Sequence, residues 1–206
     1  MSRPLLITDC DEVLLHMVSH FGEWLDEEHA IDFDLTRPDF AGALSDRSTG
    51  EILKSDRVWP LLDLFFREQM HRQTLVPGAL ESLQRIGEVA DVVVLTNLID
   101  EAHAWRVDQL AGHGIEHEVV CNQGGKGPPV LELARRHDAS TVVFVDDLPM
   151  HHASVAEHAP DVWRVHMIAE PKLAAVTPAS PHAHARIDDW PSACEWILAK
   201  FQGADT

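Results

Sequence analysis

Short apolar runs alternate along this chain with longer stretches of mixed polarity. Leu5-Leu6-Ile7-Thr8, Val92-Val93-Val94-Leu95-Thr96, Glu118 to Cys121, residues 141–145 and residues 162–166 are brief and rich in Val, Ile and Leu. Runs of this kind suit strands covered on both faces of a parallel sheet. Between them the pattern is helical. Residues 16–30 put Phe21, Trp24 and Leu25 on one side, with Glu23, Glu27 and Glu28 among the polar positions. From about Thr49, the residues Trp59, Leu62, Phe65, Phe66 and Met70 form one apolar stripe, which reads as the internal core of that segment. Further helices are predicted after Pro77 (Leu80, Leu83, Ile86), near 101–112 with Gly112 and Gly114 as stops, from Pro128 to about His137, and from about 149 to 158. Asp189-Trp190-Pro191 opens a last helix, with Trp196, Ile197 and Phe201 inward and Gly203 at its end. Residues 31–46, broken by Pro38 and Gly42, and the Pro-rich stretch 171–184 read as irregular.

Strands that alternate with helices predict an α/β fold with a doubly wound, Rossmann-like parallel sheet. One stretch departs from this rhythm. Residues 14–76 show only helical patterns, and at about 60 residues they far exceed the usual connection of 2–6. The predicted organisation is therefore an α/β core of residues 1–13 and 77–206, with residues 14–76 inserted as a small helical cap over the mouth of the sheet. A cap in that place would exclude water and select substrate.

The 206 residues are enough for one such core, and a hydrophobic content of 45% can fill it. A formal charge of −18 argues against a nucleic-acid polymer as partner. It also means that a phosphate site would need local help from metal, Lys and backbone N–H groups. Cys10, Cys121 and Cys194 fit neither a disulfide framework nor a zinc pattern. No apolar run approaches the length of a membrane span, and the N-terminal one is too short for a secretory segment, so a cytoplasmic protein without membrane contact is expected.

The chemistry begins where the first strand ends. Asp9-Cys10-Asp11 sets two carboxylates two residues apart, on one face of an extended chain. At 4 Å and an effective dielectric of 20, their repulsion is about 4 kcal/mol. A shared proton or a bound cation would offset it. A second apolar run ends in Asp146-Asp147. Strand ends carrying acids suggest carboxylates converging at the edge where open α/β sheets bind ligands. Each residue alone has an ordinary explanation: Asp caps turns, a strand-end Thr is unremarkable, and a lone Lys is normally solvated. Lys126 gains weight from its Gly loop, Asn122 to Gly127, at a helix start. Adjacent His151-His152 do not share a helix face, and His182-x-His184 sits in a Pro-rich loop, so these His do not read as metal ligands. Cys10 is expected to point away from the site, into the packing under the sheet.

In order along the chain, Asp9-Cys10-Asp11-Glu12-Val13-Leu14, Val94-Leu95-Thr96-Asn97, Lys126 and Phe144-Val145-Asp146-Asp147 resemble the four motifs of the haloacid dehalogenase-like (HAD) superfamily. The resemblance covers nearly the whole chain. Glu12 departs from it, standing where Gly is commonest, a difference that bears on substrate more than on chemistry. The resemblance implies a Mg²⁺-dependent phosphohydrolase acting on a small phosphorylated metabolite. Asp9 would be the nucleophile and Asp11 the general acid and base. Thr96, Asn97 and Lys126 would bind the substrate, with Thr96 and Lys126 also serving catalysis. Asp9, Asp146 and Asp147 would hold the metal, joined by Asp11 through its backbone carbonyl. The chief alternative is a 5′-(deoxy)nucleotidase-like enzyme. Lower alternatives are a phosphonate-cleaving enzyme using Lys54 and a non-catalytic binding module. Dehalogenation is disfavoured, because it needs no acid of the kind Asp11 supplies. Arg47, Ser48, Thr49, Arg57 and Arg72 are the candidate substrate contacts from the cap.

Overall fold

The computed structural model describes residues 2–37 and 39–203; Pro38, one of the breakers noted above, lies outside them. Strands β1 (Leu5–Thr8), β4 (Asp91–Thr96), β5 (Glu118–Cys121), β6 (Val142–Asp146), β7 (Trp163–His166) and β8 (Ala185–Arg186) form one parallel sheet in the order β5-β4-β1-β6-β7-β8. Alternate residues feed two apolar layers. Leu6, Val92, Val94, Val143, Val145 and Val165 pack toward α3 (Ala79–Gly87) and α8 (Trp190–Phe201). Leu5, Ile7, Val93, Leu95, Val142 and Phe144 pack toward α5 (Gly127–Arg136) and α6 (Pro149–His158). Both faces of the strands are buried, which is why their sequences read as unbroken apolar runs. Helix α4 (His103–Gly112) packs beside β5 and adds Leu110 to the first layer.

The register decides where the chemistry emerges. Thr8 pairs with Val94 on one side and with Val145 on the other. The central strands therefore end together, and Asp9, Thr96 and Asp146 leave the sheet at one edge. The backbone N–H of Asp9 donates to Val145 O at 2.8 Å, extending the pairing past the end of β1.

Two expectations are corrected here. The stretch 171–184 is not wholly irregular: it contains α7 (Pro171–Val176), and β8 follows it as a sixth strand. With two residues, Ala and Arg, β8 offers no hydrophobic alternation to detect. The stretch 14–76 is not purely helical. It holds α1 (Val18–Trp24), continued by a wider turn at Leu25–His29, and α2 (Ser55–Glu68), but between them β2 (Ile31–Phe33) and β3 (Leu44–Asp46) pair antiparallel. Strands of three residues are too short to show a period of two. Helix α2 begins at Ser55 rather than near Thr49 because Asp46 closes a turn there. Its carboxylate accepts from the N–H groups of Ser48 and Thr49, and Gly50 adopts φ +72°. This segment has its own apolar cluster, including Phe21, Trp24, Leu25, Leu44, Val58 and Phe65. Among the described residues, no helix is long and apolar enough to cross a membrane.

Candidate active site

Lys126 sits between two carboxylates at the shared sheet edge. Its ammonium lies 2.8 Å from Asp9 Oδ1 and 2.7 Å from Asp146 Oδ2, and it is fully buried. Its seat depends on close packing of α5 against α6. A Cβ on Gly127 would come within 2.2 Å of Ser154 O, so only Gly lets α5 start there, and the Gly127 N–H donates to Ser154 Oγ at 3.0 Å. Burial opposes the charged ammonium, but Asp146 and Asp9 outweigh that and hold Lys126 protonated well above its usual range. One ammonium does not satisfy the group. One ligand oxygen each from Asp9, Asp146 and Asp147 lies within 4.8 Å of the others. Burial raises the Asp9 pKa, Lys126 partly opposing and Asp146 adding to it; burial and then Asp146 and Asp9 raise that of Asp147 well above the usual range. Three clustered, buried carboxylates form an all-oxygen donor set, which suits a hard divalent cation such as Mg²⁺.

The backbone under the acidic pair is held by imidazoles. His152 Nε2 donates to Asp146 O at 3.0 Å, and His166 Nε2 donates to Asp147 O at 2.8 Å while its Nδ1 accepts from Ser180 N. Burial pushes the His152 pKa down to about 3 and lowers that of His166. These are neutral scaffold groups rather than metal ligands. Leu148 N donates to Asp146 Oδ1 at 2.8 Å and orients that carboxylate. Thr96 is buried, and its hydroxyl has no hydrogen-bond partner. An unmade hydrogen bond of that kind costs about 1–3 kcal/mol. Asn97 is exposed and links two loops, donating to Gly124 O and accepting from Asn122 Nδ2, each at 2.9 Å.

Asp11 is placed differently from the other acids. Arg106 Nη2 contacts both of its oxygens, at 2.9 and 2.8 Å, and Gln73 Nε2 donates to Oδ1 at 2.7 Å. Arg106 is fully buried on α4, and its Nη1 is also 3.1 Å from Cys10 Sγ. Cys10 itself is in the core under the sheet. The Asp11 side chain therefore stands apart from the Asp9–Asp146–Asp147 cluster. Arg106 and Gln73 carry no motif, and only the tertiary fold brings them to Asp11 from residues far along the chain.

Glu12 also has a definite task. Its φ of +59° explains why Gly suits this position, and the side chain repays the strain locally. The buried carboxylate accepts from Met17 N (2.6 Å), Val18 N (2.7 Å) and Glu170 N (3.1 Å). It thus ties the start of α1 to the loop before α7. Burial pushes its pKa up to about 7 despite those three donors.

A cavity of about 570 Å³ opens above Asp9, Asp11 and Asp147, with its far wall built from residues 14–76. The helical stripe divides there. Phe65 is fully buried in the segment's own cluster, as expected, but Trp59, Leu62 and Phe66 line the cavity, and Trp59 is 52% exposed. Helical spacing marks a shared face without saying what covers it. None of Arg47, Ser48, Thr49, Arg57 and Arg72 lines the cavity. Arg47 pairs with Asp26 and Asp32, and Arg72 with Glu27 and Glu28. Lys54 is exposed and also outside the lining.

This fold is that of the HAD-like hydrolases. A HAD family hydrolase from Deinococcus radiodurans, with bound phosphate and sodium, superposes with a TM-score of 0.66 at 16% identity, covering 98% of this chain and 97% of its own. A haloacid dehalogenase-like hydrolase from Streptococcus pneumoniae gives 0.62 at 10% identity over 95% and 98%. An L-2-haloacid dehalogenase gives 0.60 at 12% identity over 96% and 100%. No protein-family model matches the sequence, and no curated protein does.

Proposed function

We propose that this chain is a HAD-like phosphohydrolase, dependent on Mg²⁺, that cleaves a small phosphate monoester through an aspartyl-phosphate. The observation that carries this reading is the buried cluster of Asp9, Lys126, Asp146 and Asp147, which Asp9 and Asp147 connect to an open cavity. Asp9, Asp146 and Asp147 would hold the metal, which when bound supplies positive charge to the phosphoryl oxygens. An Asp9 oxygen attacks phosphorus as the P–O bond to the leaving group breaks, and the leaving oxygen takes a proton from Asp11. The Asp11 carboxylate then removes a proton from water, whose oxygen attacks phosphorus. The P–O bond to Asp9 breaks, returning the carboxylate and releasing phosphate. Lys126 holds Asp9 in line and balances charge on the phosphoryl group, and the free Thr96 hydroxyl donates to one of its oxygens.

In the resting site both Asp11 oxygens are taken by Arg106 and Gln73. Proton delivery requires Asp11 to rotate out of that clamp toward Asp9 and to take up a proton from solvent first, which couples its chemistry to filling of the cavity by substrate. The inserted segment acts as the cap that shelters the reacting atoms. A second carboxylate at Asp11, which lines the same cavity as Asp9, favours this reaction over dehalogenation, where no leaving-group acid is needed. The test is phosphate release from generic monoesters with Mg²⁺. Turnover that stops with chelator and in Asp9→Asn supports the reading; metal-independent turnover, or halide release from 2-haloacids instead, refutes it.

A further inference from the structure

The lining around the acids, from both the inserted segment and the start of α6, is apolar to a degree that phosphate chemistry does not require. Phe33, Phe40, Trp59, Phe66, Leu148 and Met150 all face the cavity. Three of them stand open to water, at 52% for Trp59, 43% for Leu148 and 64% for Met150. Trp59 stacks on Phe40 with rings 8° from parallel and centroids 5.9 Å apart, and Phe33 meets Phe40 edge-on at 5.2 Å. Large apolar side chains left wet around a concave site are characteristic of surfaces that a ligand covers.

Most of the polar side chains that line the same cavity are already engaged. Glu12 is filled by three backbone N–H groups, and Asn97 is tied to Gly124 and Asn122. The Thr177 hydroxyl donates to Leu173 O at 2.8 Å. Arg37 pairs with Asp34 at 3.3 Å and donates to Gly42 O at 3.1 Å. Among the described residues of the lining, His151 Nδ1 is the one buried side-chain polar atom without a partner. A sugar or nucleoside brings several hydroxyls and ring nitrogens, each of which loses water on binding and needs a partner in return. Beyond Arg37 and His151, this lining has few to give.

From this we infer that the substrate's leaving group is a bulky apolar alcohol, seated against the aromatic wall of the cap, rather than a sugar or a nucleoside. The inference rests on the phosphohydrolase reading for its phosphate end. The apolar end rests on the wall alone, so the two can fail separately.

A set of monoesters that all release primary alcohols tests it, since their intrinsic reactivity is matched. The set is ethyl phosphate, 2-(1-naphthyl)ethyl phosphate, glucose 6-phosphate and adenosine 5′-monophosphate, assayed with Mg²⁺. The naphthyl ester should exceed each of the others in kcat/KM by about a hundredfold, and Trp59→Ala should reduce that advantage about tenfold. Ile52→Ser, an exposed residue outside the cavity, should not change it. Equal or better turnover of the sugar or nucleoside phosphate overturns the inference while leaving the phosphohydrolase standing. If no ester is cleaved, the phosphohydrolase reading falls and binding decides the rest. Calorimetric titration with 2-(1-naphthyl)ethanol should then show saturable binding, weakened about tenfold in Trp59→Ala. No saturable binding overturns the apolar wall as a site.

Discussion

Replacing Lys126 with Met removes the single ammonium from between two buried carboxylates while keeping most of the side-chain volume. In the parent, Nζ lies 2.8 Å from Asp9 and 2.7 Å from Asp146. At an effective dielectric of 20 each contact represents about 6 kcal/mol of attraction, largely offset by the cost of burying the charges. The loss expected on breaking such a buried arrangement is about 3–5 kcal/mol. Its sign with pH follows from the carboxylates. Asp9 and Asp147 are held above their usual pKa of 3.8 by burial. The native state therefore binds more protons than the unfolded chain above that pH, and stability falls as pH rises through the native values. Without Lys126 those values climb further and the fall steepens. Urea denaturation in chelator should show the full deficit near pH ~8 and less than half of it near pH ~5. Lys126→Met combined with Asp146→Asn should recover about 1–3 kcal/mol, because the amide needs no counter-charge. A deficit below about 1 kcal/mol, or one equal at both pH values, would refute this electrostatic account.

Three further outcomes are expected. Glu12, pushed up to about 7 from an ordinary 4.5, should contribute about 3 kcal/mol of stability at low pH that is lost as pH rises through that window; Glu12→Gln should remove this component from a plot of unfolding free energy against pH, and an unchanged slope would show the shift to be wrong. Millimolar Mg²⁺ should raise the melting temperature, by the equivalent of about 2.7 kcal/mol at a hundredfold excess over Kd; Asp146→Asn should blunt the rise, and a rise that survives Asp146→Asn but needs His151 would place the metal elsewhere. Arg106→Met should cost about 3 kcal/mol of stability, because it removes the buried partner that holds both Asp11 oxygens; an unchanged urea midpoint would contradict that.

The α/β core was legible because β1, β4 and β6 are buried on both faces, so each shows as a continuous apolar run with a polar residue where it leaves the sheet. Asp9, Thr96 and Asp146 could be placed at one edge for the same reason. The sheet's C-terminal edge strand was not legible, since Ala185–Arg186 is held by backbone pairing to β7 rather than by its side chains. Glu12 read as a departure because the sequence shows no backbone angle, and its φ of +59° and three N–H partners exist only in the fold. Arg106 is separated from Asp11 by 95 positions, and nothing local in α4 marks it as a partner. The stripe on α2 shows where periodicity stops being informative. Phe65 and Phe66 are neighbours in one pattern, yet one fills the segment's core and the other faces the cavity.

The measurement closest to the central claim is the fate of Asp9 during turnover. The enzyme is mixed with a cleavable monoester and Mg²⁺, quenched in acid within the first turnover, digested, and the peptide carrying Asp9 sequenced by tandem mass spectrometry. The account predicts a phosphoryl group on the Asp9 side chain, formed and lost at rates compatible with turnover and absent from Asp9→Asn, which should release no phosphate. Phosphate release without an adduct on Asp9, continuing in Asp9→Asn, would contradict it.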